Sequence, residues 1–346
     1  MLLIYGPGRT GTRIAALARD HGIDTVLAGR NPSQVQAIAT SLGLPWRSAE
    51  LTDPVALACM LEGVETVINT AGPFTRTAPP LMQASITHRC HYLDLSNEAA
   101  TFRHAWALNG AARQAGISII PGAGFGTAAA EVLTAHILTR ISNPDTLTLV
   151  RTSTHQSKTA GIRASTLAVL ARPPQDGSTT PHHQPDHRIR SLDLPQGLTT
   201  VIPTDTGDPY AIARTTTINN VRAYASTTMN PTRARLTLTL ARHLVRLKTW
   251  ARPLWPAGRL SSPDQHTGQP ATNPSHTQLW IHATNSDGHT ATSYLTATGA
   301  AELAAHISLH AAQQTLNRTN PGTTTVGQLI NTSYLLNHPN ITLTDL

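Results

Sequence analysis

Six residues near the start of the chain constrain its fold most strongly. The run Gly6-Pro7-Gly8-Arg9-Thr10-Gly11 follows an apolar segment, Leu2 to Tyr5, and precedes a segment whose apolar residues share one helical face. At a strand-to-helix junction, the first glycine permits a tight turn, the second lets a pyrophosphate approach the backbone, and the third lets helix and strand pack closely. A glycine turn without a ligand is the alternative. The predicted dinucleotide contacts are Gly6, Gly8, Arg9, Thr10 and Gly11.

The same alternation of short apolar runs and amphipathic stretches continues to about residue 120. Parallel strands need a crossover connection, and a repeated strand and helix pattern is typical of a doubly wound parallel sheet. We therefore expect an α/β Rossmann domain over residues 1–125. Its predicted strands are Leu2 to Tyr5, Thr25 to Ala28, Thr66 to Thr70, Tyr92 to Leu95, and Ser118 to Ile120.

Residues 126–346 show a different pattern, in which polar stretches rich in Thr, Pro, His and Gly separate alternating apolar segments. Such alternation indicates a second α+β domain with a largely antiparallel sheet. Residues 172–196 are predicted to form a mobile loop, and a return of the C-terminal segment to the first domain is left open. The predicted elements are strands at Leu147 to Arg151, Val221 to Tyr224, Leu279 to Ala283 and Thr290 to Leu295, and a helix at Gly299 to Leu316.

Composition excludes several classes of protein. The 346 residues include 26 basic and 19 acidic side chains, a formal net charge of +7, but the arginines are scattered, which disfavours a nucleic-acid site. No apolar run is long enough to cross a bilayer, and the first residues do not resemble a signal peptide. Cys59 and Cys90 are too few for a disulfide framework, so we expect a reducing, cytoplasmic location. His182, His183 and His187 lack the spacing of metal ligands, so no metal site is predicted.

The end of the second predicted strand bears on the choice of cofactor. NAD-preferring sites usually carry a carboxylate there, which accepts hydrogen bonds from the ribose hydroxyls. This chain has Arg30 and Asn31 instead. Arg30 can pair with a 2′-phosphate, so the sequence favours NADP over NAD, with a plain surface arginine as the alternative.

Two further predicted strands end in candidate cofactor-binding or catalytic residues, at the same carboxyl edge of the predicted sheet. Small residues at the end of the predicted strand Thr66 to Thr70 let a cofactor lie close to the backbone, at Thr70, Ala71, Gly72, Pro73 and Phe74. The next predicted strand brings Tyr92, Asp94 and Glu98 to this edge, and the carboxyl group of Asp94 or Glu98 can orient substrate or relay a proton. Helix capping or pairing with arginines is an equal alternative. The run Pro121-Gly122-Ala123-Gly124-Phe125-Gly126 is interpreted as a hinge or as a wall of the nicotinamide pocket, with a simple turn between domains as the alternative.

Five motifs together resemble the saccharopine dehydrogenase-like oxidoreductases, in particular the branch that includes trans-acting enoyl reductases. They are GPGRTG at Gly6, LAGRN at Leu27, NTAGPF at Asn69, HYLDLSNE at His91 and IIPGAGFG at Ile119. The resemblance implies a nicotinamide cofactor in the N-terminal domain and a second domain that closes over substrate and forms a homodimer. Three departures lie on the substrate side: Asn97 replaces a glycine, Gly126 replaces an acidic residue, and Ala129-Ala130-Glu131 replaces Pro-Ser-Asp.

These observations predict an NADPH-dependent reductase of a polarised C=C or C=N bond in a small or lipid-like metabolite. The candidate proton donors are Tyr92, Asp94, Glu98, His155, Ser157 and Lys158. A non-catalytic sensor of NADP(H), and a lyase or epimerase that retains the same fold, are the competing hypotheses.

One helical pattern bears on the substrate. Leu236, Leu240, Leu244 and Leu247 share a face opposite Arg235, Arg242 and Arg246. A packed surface helix is favoured, and a lid or a helix on a membrane surface is the alternative.

Overall fold

Two seven-stranded sheets organise the chain, and they differ in strand direction. The computed structural model describes residues 1–153, 188–218, 220–237, 239, 276–317 and 321–346. The first sheet is parallel throughout, whereas the second is antiparallel except for one strand pair. The predicted fold class, a Rossmann sheet with a second and largely antiparallel sheet, is confirmed.

The parallel sheet has the strand order β13-β6-β5-β4-β1-β2-β3. Its central strands are short runs of Val, Ile and Leu buried on both faces, as expected where helices cover each side. The strands are β1 (Leu2–Tyr5), β2 (Thr25–Gly29), β3 (Trp46–Ser48), β4 (Thr66–Asn69), β5 (His91–Asp94), β6 (Ser118–Ile120) and β13 (Gly322–Thr323). The helices between them are α1 (Arg9–Asp20), α2 (Pro32–Leu42), α3 (Pro54–Leu61), α4 (Phe74–His88), α5 (Ala99–Ala107) and α6 (Asn109–Ala115).

The second sheet has the strand order β14-β12-β11-β7-β10-β9-β8. All four strands predicted for this half of the chain belong to it. Its strands are β7 (Thr146–Ser153), β8 (Arg190–Leu194), β9 (Gly197–Pro203), β10 (Asn220–Thr227), β11 (His276–Thr284), β12 (Thr290–Thr298) and β14 (Ile341–Asp345). The accompanying helices are α7 (Phe125–Ile137), α8 (Asp208–Thr215), α9 (Ala300–Asn317) and α10 (Thr332–Leu336).

A continuous apolar core joins the two sheets. Leu147 and Leu149 of β7 lie in the same buried cluster as Ile68 of β4, with α7 between the sheets. Helix α9 packs against α1, where the Arg13 Nε donates to both carboxylate oxygens of Glu302 at 2.9 and 2.7 Å. The exact boundary between the domains, placed at residue 125 from the sequence, stays a prediction.

The C-terminal part of the chain returns to the parallel sheet. Strand β13 pairs with β6 in parallel register, and a short 3-10 turn, Val326–Gln328, then packs on α7. Strands β3 and β13, of three and two residues, are too short to show a pattern in the sequence. The return of the chain is therefore visible only in the tertiary structure.

Several predictions fall on residues that the structure does not describe. They include the candidates His155, Ser157 and Lys158, the three clustered histidines, and residues 172–187 of the predicted mobile loop. The end of that loop is instead strand β8, paired with β9. Residues 231–237 are helical, with Leu236 exposed, and the rest of the predicted amphipathic helix lies outside the described residues apart from residue 239. Among the helices that the structure describes, none is long and apolar enough to span a membrane.

Candidate functional site

The glycine-rich turn after β1 is closed tightly against the end of β4. Gly6 has φ +112°, and the Thr70 hydroxyl donates to its carbonyl oxygen at 2.7 Å and to that of Tyr5 at 3.1 Å. A Cβ added at Gly11 would lie 2.0 Å from the Gly6 oxygen, so a side chain there must displace the turn. The first and third glycines therefore have the steric roles predicted from the sequence.

Gly8 differs from its neighbours because the space above it is open. A Cβ added there would meet no protein atom within 4 Å, and Gly8 is exposed. It is the N-cap of α1, where no side chain makes a capping hydrogen bond and no acidic residue occupies the first turn. The first backbone N–H groups of the helix are thus available to an anion, an arrangement that fits a pyrophosphate. Arg9 is exposed and Thr10 half-buried at the same turn.

Arg30 directly follows β2, at the carboxyl edge of the parallel sheet. Its side chain is exposed, whereas Asn31 is the N-cap of α2, and its Oδ1 accepts from the Gln34 N–H at 3.3 Å. Burial raises the pKa of Tyr5 to about 12, with Glu50 raising it further and Arg30 lowering it. Arg30 therefore acts electrostatically on the strand that leads into the glycine turn. Asn31 thus caps α2, and its predicted contact with the cofactor stays a prediction.

The segment after β4 lies directly beside the glycine turn. A Cβ added at Gly6 would lie 2.8 Å from the Ala71 nitrogen and 2.9 Å from the Thr70 hydroxyl oxygen. Gly72 is exposed, and Pro73 is the N-cap of α4, which begins at the half-buried Phe74. The structure therefore brings the two predicted cofactor-binding segments together at the carboxyl ends of adjacent strands.

A buried hydrogen-bond chain runs from β4 to the loop after β6. The Asn69 amide donates to the Tyr92 hydroxyl at 3.0 Å, and that hydroxyl donates to Asp94 Oδ2 at 3.0 Å. The other Asp94 oxygen accepts from the backbone N–H groups of Ser96 and Gly122, each at 2.9 Å. Asp94 thus fastens the loop after β5 to the loop after β6.

Burial governs the acidity of both titratable groups in this chain of hydrogen bonds. It raises the pKa of Asp94 to about 6, against the lowering effect of the hydrogen bonds that the carboxylate accepts. It also raises the pKa of Tyr92 well above the ordinary value, and the Asp94 charge adds to this shift. Both side chains are fully buried. The catalytic role predicted for them stays a prediction, and the geometry gives each a positioning role.

Glu98 lies where the two sheets meet. It is 5% exposed, occupies the N-cap position of α5 and forms an isolated antiparallel bridge with Thr206. Its Oε2 accepts from the Asn97 N–H at 3.0 Å, whereas its Oε1 has no partner among the described residues. One buried carboxylate oxygen of Glu98 thus receives no hydrogen bond from the described part of the chain.

Two charged residues of this region have no counterpart in the sequence predictions. The Arg151 Nη2 of β7 donates to Asp208 Oδ2 at 3.0 Å and to the Gly126 carbonyl at 3.2 Å. Asp208 begins α8 and is buried. In the sequence, the signal that points to this region is Gly126, which stands where the resembling family has an acidic residue. The pair itself joins residues too far apart in the chain for a motif to show it.

A fourth carboxylate, Glu131, is buried in α7. Its Oε2 accepts from the Gly327 N–H at 2.9 Å. Burial raises its pKa to about 7, and the Asp208 charge adds to the shift. Within the described ranges, no three His, Cys, Asp or Glu side chains form a group that can hold a metal ion.

The fold and the glycine-rich edge define a class: a Rossmann-type dinucleotide-binding domain joined to a domain with a mostly antiparallel sheet. Residues 2–120 match the family model of the saccharopine dehydrogenase NADP binding domain. This part of the chain is therefore similar to NADP-binding domains of the saccharopine dehydrogenase type. The predicted resemblance and the predicted cofactor, NADP(H), are confirmed at this level.

A curated relative and two solved structures extend the comparison. The trans-acting enoyl reductase of Mycobacterium ulcerans (strain Agy99) is 28% identical over 150 residues, which are 42% of this chain and 35% of that protein. The match thus spans about a third of the relative's length.

The solved structures show the likeness in fold over nearly the whole chain. Saccharopine dehydrogenase (L-Glu forming) from Saccharomyces cerevisiae has a TM-score of 0.62 at 13% identity, covering 100% of this chain and 99% of that one. Homospermidine synthase from Legionella pneumophila, in complex with NAD, has a TM-score of 0.59 at 10% identity, covering 97% and 88%.

Proposed function

We propose that the chain is an NADPH-dependent reductase of a polarised double bond, either C=C conjugated to a carbonyl or C=N, in a small or lipid-like metabolite. The observation that carries this proposal is the open glycine turn at Gly8 within a domain that matches an NADP-binding family. The similarity of 42% of this chain to a trans-acting enoyl reductase supports a C=C acceptor.

Residues at the carboxyl edge of the parallel sheet fit NADP(H) in three places. The N-terminus of α1 offers unpaired N–H groups to the pyrophosphate, with Arg9 and Thr10 in its first turn. Arg30 is exposed and supplies a guanidinium for the 2′-phosphate. The segment from Thr70 to Phe74 provides small residues and an exposed glycine beside the turn. We assign these residues to the cofactor site.

Bound NADPH supplies two electrons and one hydrogen for reduction of the acceptor bond. The chain must then orient the acceptor, stabilise the charge that develops on it and deliver a proton. We propose Glu98 as the proton donor, because one of its buried carboxylate oxygens accepts no hydrogen bond from the residues that the structure describes. Tyr92 and Asp94 position the loop that carries Glu98, since their hydroxyl and carboxylate groups are engaged with each other.

The first experiment is titration of the purified protein with NADPH and NADH, followed by nicotinamide fluorescence. The loaded protein is then mixed with enones, crotonyl N-acetylcysteamine thioester and cyclic imines. Tight NADPH binding with oxidation by one compound supports the reductase. Binding without turnover by any of these compounds would count against it and in favour of the NADP(H) sensor. Failure to bind either nucleotide would overturn the cofactor assignment in this chain.

Arg30→Asp tests the assignment of the 2′-phosphate site. We expect NADPH affinity to fall by about 10- to 100-fold, the equivalent of about 1–3 kcal/mol for a charge-assisted hydrogen bond, with little change for NADH. Arg233→Asp is the matched control, because Arg233 is exposed in the first turn of a helical segment, where a carboxylate is tolerated. Equal losses for NADPH and NADH in Arg30→Asp would contradict the assignment.

A further inference from the structure

Arg151 occupies a position in β7 where an apolar residue is expected. Side chains of a strand alternate between its two faces, so Leu147, Leu149 and Arg151 share one face. Leu147 and Leu149 are buried in the core between the sheets, whereas Arg151 is 25% exposed at the end of the same row. A charged side chain on a core-facing row needs partners or a function, because its desolvation is costly.

The described partners of Arg151 accept hydrogen bonds from one of its three guanidinium nitrogens. Nη2 donates to Asp208 and to the Gly126 carbonyl, and Asp208 is itself buried at the start of α8. Within the described part of the chain, Nε and Nη1 make no hydrogen bond. The guanidinium is thus held in place from one side, with donors left over on the other two nitrogens.

The replacement at Gly126 keeps those donors uncovered. A Cβ added at Gly126 would lie 3.3 Å from Arg151 Nη1 and 3.5 Å from its Cζ. A side chain at this position would therefore press on the guanidinium, and an acidic one would compete for its hydrogen bonds. With glycine at this position, Asp208 is the acidic partner of Arg151 among the described residues, and no second carboxylate from position 126 competes for the guanidinium.

Arg151 lies beside the loops that carry the proposed reductase site. Gly126 is in the first turn of α7, directly after the loop that follows β6 and is fastened to Asp94. Asp208 follows Gly207, whose N–H donates to the Asn97 carbonyl next to Glu98 at 2.9 Å. The guanidinium and the proposed proton donor thus belong to one connected set of loops at the carboxyl edge of the parallel sheet.

We propose that Arg151 is a catalytic residue that donates hydrogen bonds from Nη1 and Nε to the carbonyl oxygen of an α,β-unsaturated acceptor. The inference rests on the proposed reductase function. In this reduction the β-carbon gains a hydrogen with two electrons, the C=C electron pair moves to form an enolate, and the α-carbon then takes a proton. Arg151 stabilises the negative oxygen of that enolate. The same cation repels a protonated imine, so the acceptor is C=C conjugated to a carbonyl.

The first test measures binding of an enolate and needs no turnover. Acetylacetone is titrated into the NADP⁺-loaded protein near neutral pH, and its enolate is followed by the absorbance band at longer wavelength than that of the enol. The proteins compared are the wild type, Arg151→Met, Arg151→Lys and the exposed-arginine control Arg233→Met. Thermal unfolding of each shows that it is folded, and NADPH fluorescence shows that the cofactor site is intact.

We expect the wild type and the control to bind the enolate, Arg151→Met to lose at least about tenfold in affinity, and Arg151→Lys to recover part of it. Absence of the enolate band in the wild type, or an equal band in folded Arg151→Met, would overturn the proposal.

The second test uses turnover of crotonyl N-acetylcysteamine thioester. For Arg151→Met we expect kcat to fall about 100-fold or more with NADPH affinity unchanged, as for loss of one donor to an oxyanion. Unchanged kcat would refute the role of Arg151 and leave the reductase function standing. Conversely, no reduction of any acceptor by the wild type would refute the reductase, while an Arg151-dependent enolate band would still support the anion site.

Discussion

Replacing Glu131 by glutamine should raise the free energy of unfolding at alkaline pH and leave it nearly unchanged at acidic pH. Glu131 is 6% exposed, and its Oε2 accepts a hydrogen bond from the Gly327 N–H at 2.9 Å. Glutamine has nearly the same shape and keeps an oxygen that can accept from the Gly327 N–H. It has no charge to desolvate, so it resembles the protonated glutamic acid.

The magnitude follows from the pKa of the carboxyl group. Burial raises the pKa from 4.5 to about 7 in the folded protein. The folded state therefore binds the proton more tightly than the unfolded state does, and the stability associated with it is complete below pH 4.5 and is lost as pH rises through 7. A shift of about 2.5 units at about 1.4 kcal/mol per unit gives about 3 kcal/mol above pH 7. Glu131→Gln avoids this loss.

The assay is urea unfolding of the wild type and Glu131→Gln at pH 5 and at pH 8. We expect a small difference at pH 5 and an advantage of about 3 kcal/mol for the variant at pH 8. Asp94, whose pKa is also raised, to about 6, contributes equally to both proteins and cancels in the comparison. Glu62→Gln, at an exposed carboxyl, should change stability by less than about 0.5 kcal/mol at either pH. A variant less stable than the wild type at pH 8 would refute the reasoning.

Two sets of glycine substitutions test the packing of the candidate site. Gly11→Ala should lower both thermal stability and NADPH affinity, because its Cβ would lie 2.0 Å from a backbone oxygen. Gly8→Ala should weaken NADPH binding without loss of stability, because the space above Gly8 is open. Equal losses of stability in the two variants would contradict the assigned roles. Gly207→Ala should cost about 1–3 kcal/mol in urea unfolding, because its Cβ would lie 2.1 Å from a ring carbon of Phe102. Gly110 lies in a helix with open space around it, so Gly110→Ala should instead stabilise the folded protein by about 0.5–1 kcal/mol. Similar effects of Gly207→Ala and Gly110→Ala on stability would refute the packing argument.

The amino-acid sequence by itself determined the parts of this protein that depend on local patterns. Alternation of apolar runs and amphipathic stretches sets the parallel sheet, because each strand and its crossover helix are encoded within about 30 residues. The glycine spacing from Gly6 to Gly11 sets the cofactor turn, since steric needs at a strand-to-helix junction leave little choice of residue. Period-two alternation similarly sets β7, β10, β11 and β12 of the second sheet.

Only the tertiary structure decided which distant residues meet. Arg151 and Asp208 are 57 positions apart, and Glu131 and Gly327 are 196 apart, so neither pair leaves a pattern in the sequence. Nothing in the sequence distinguishes the Tyr92 hydroxyl from the hydroxyls of the other tyrosines. In the folded protein both Tyr92 and Asp94 are buried, and the hydroxyl donates a hydrogen bond to the Asp94 carboxylate. Burial is a property of the packed core, and it sets both the acidity of these carboxyl groups and the donors that remain free at Arg151. The chemistry of the site is therefore decided by packing, on a framework that local sequence had already fixed.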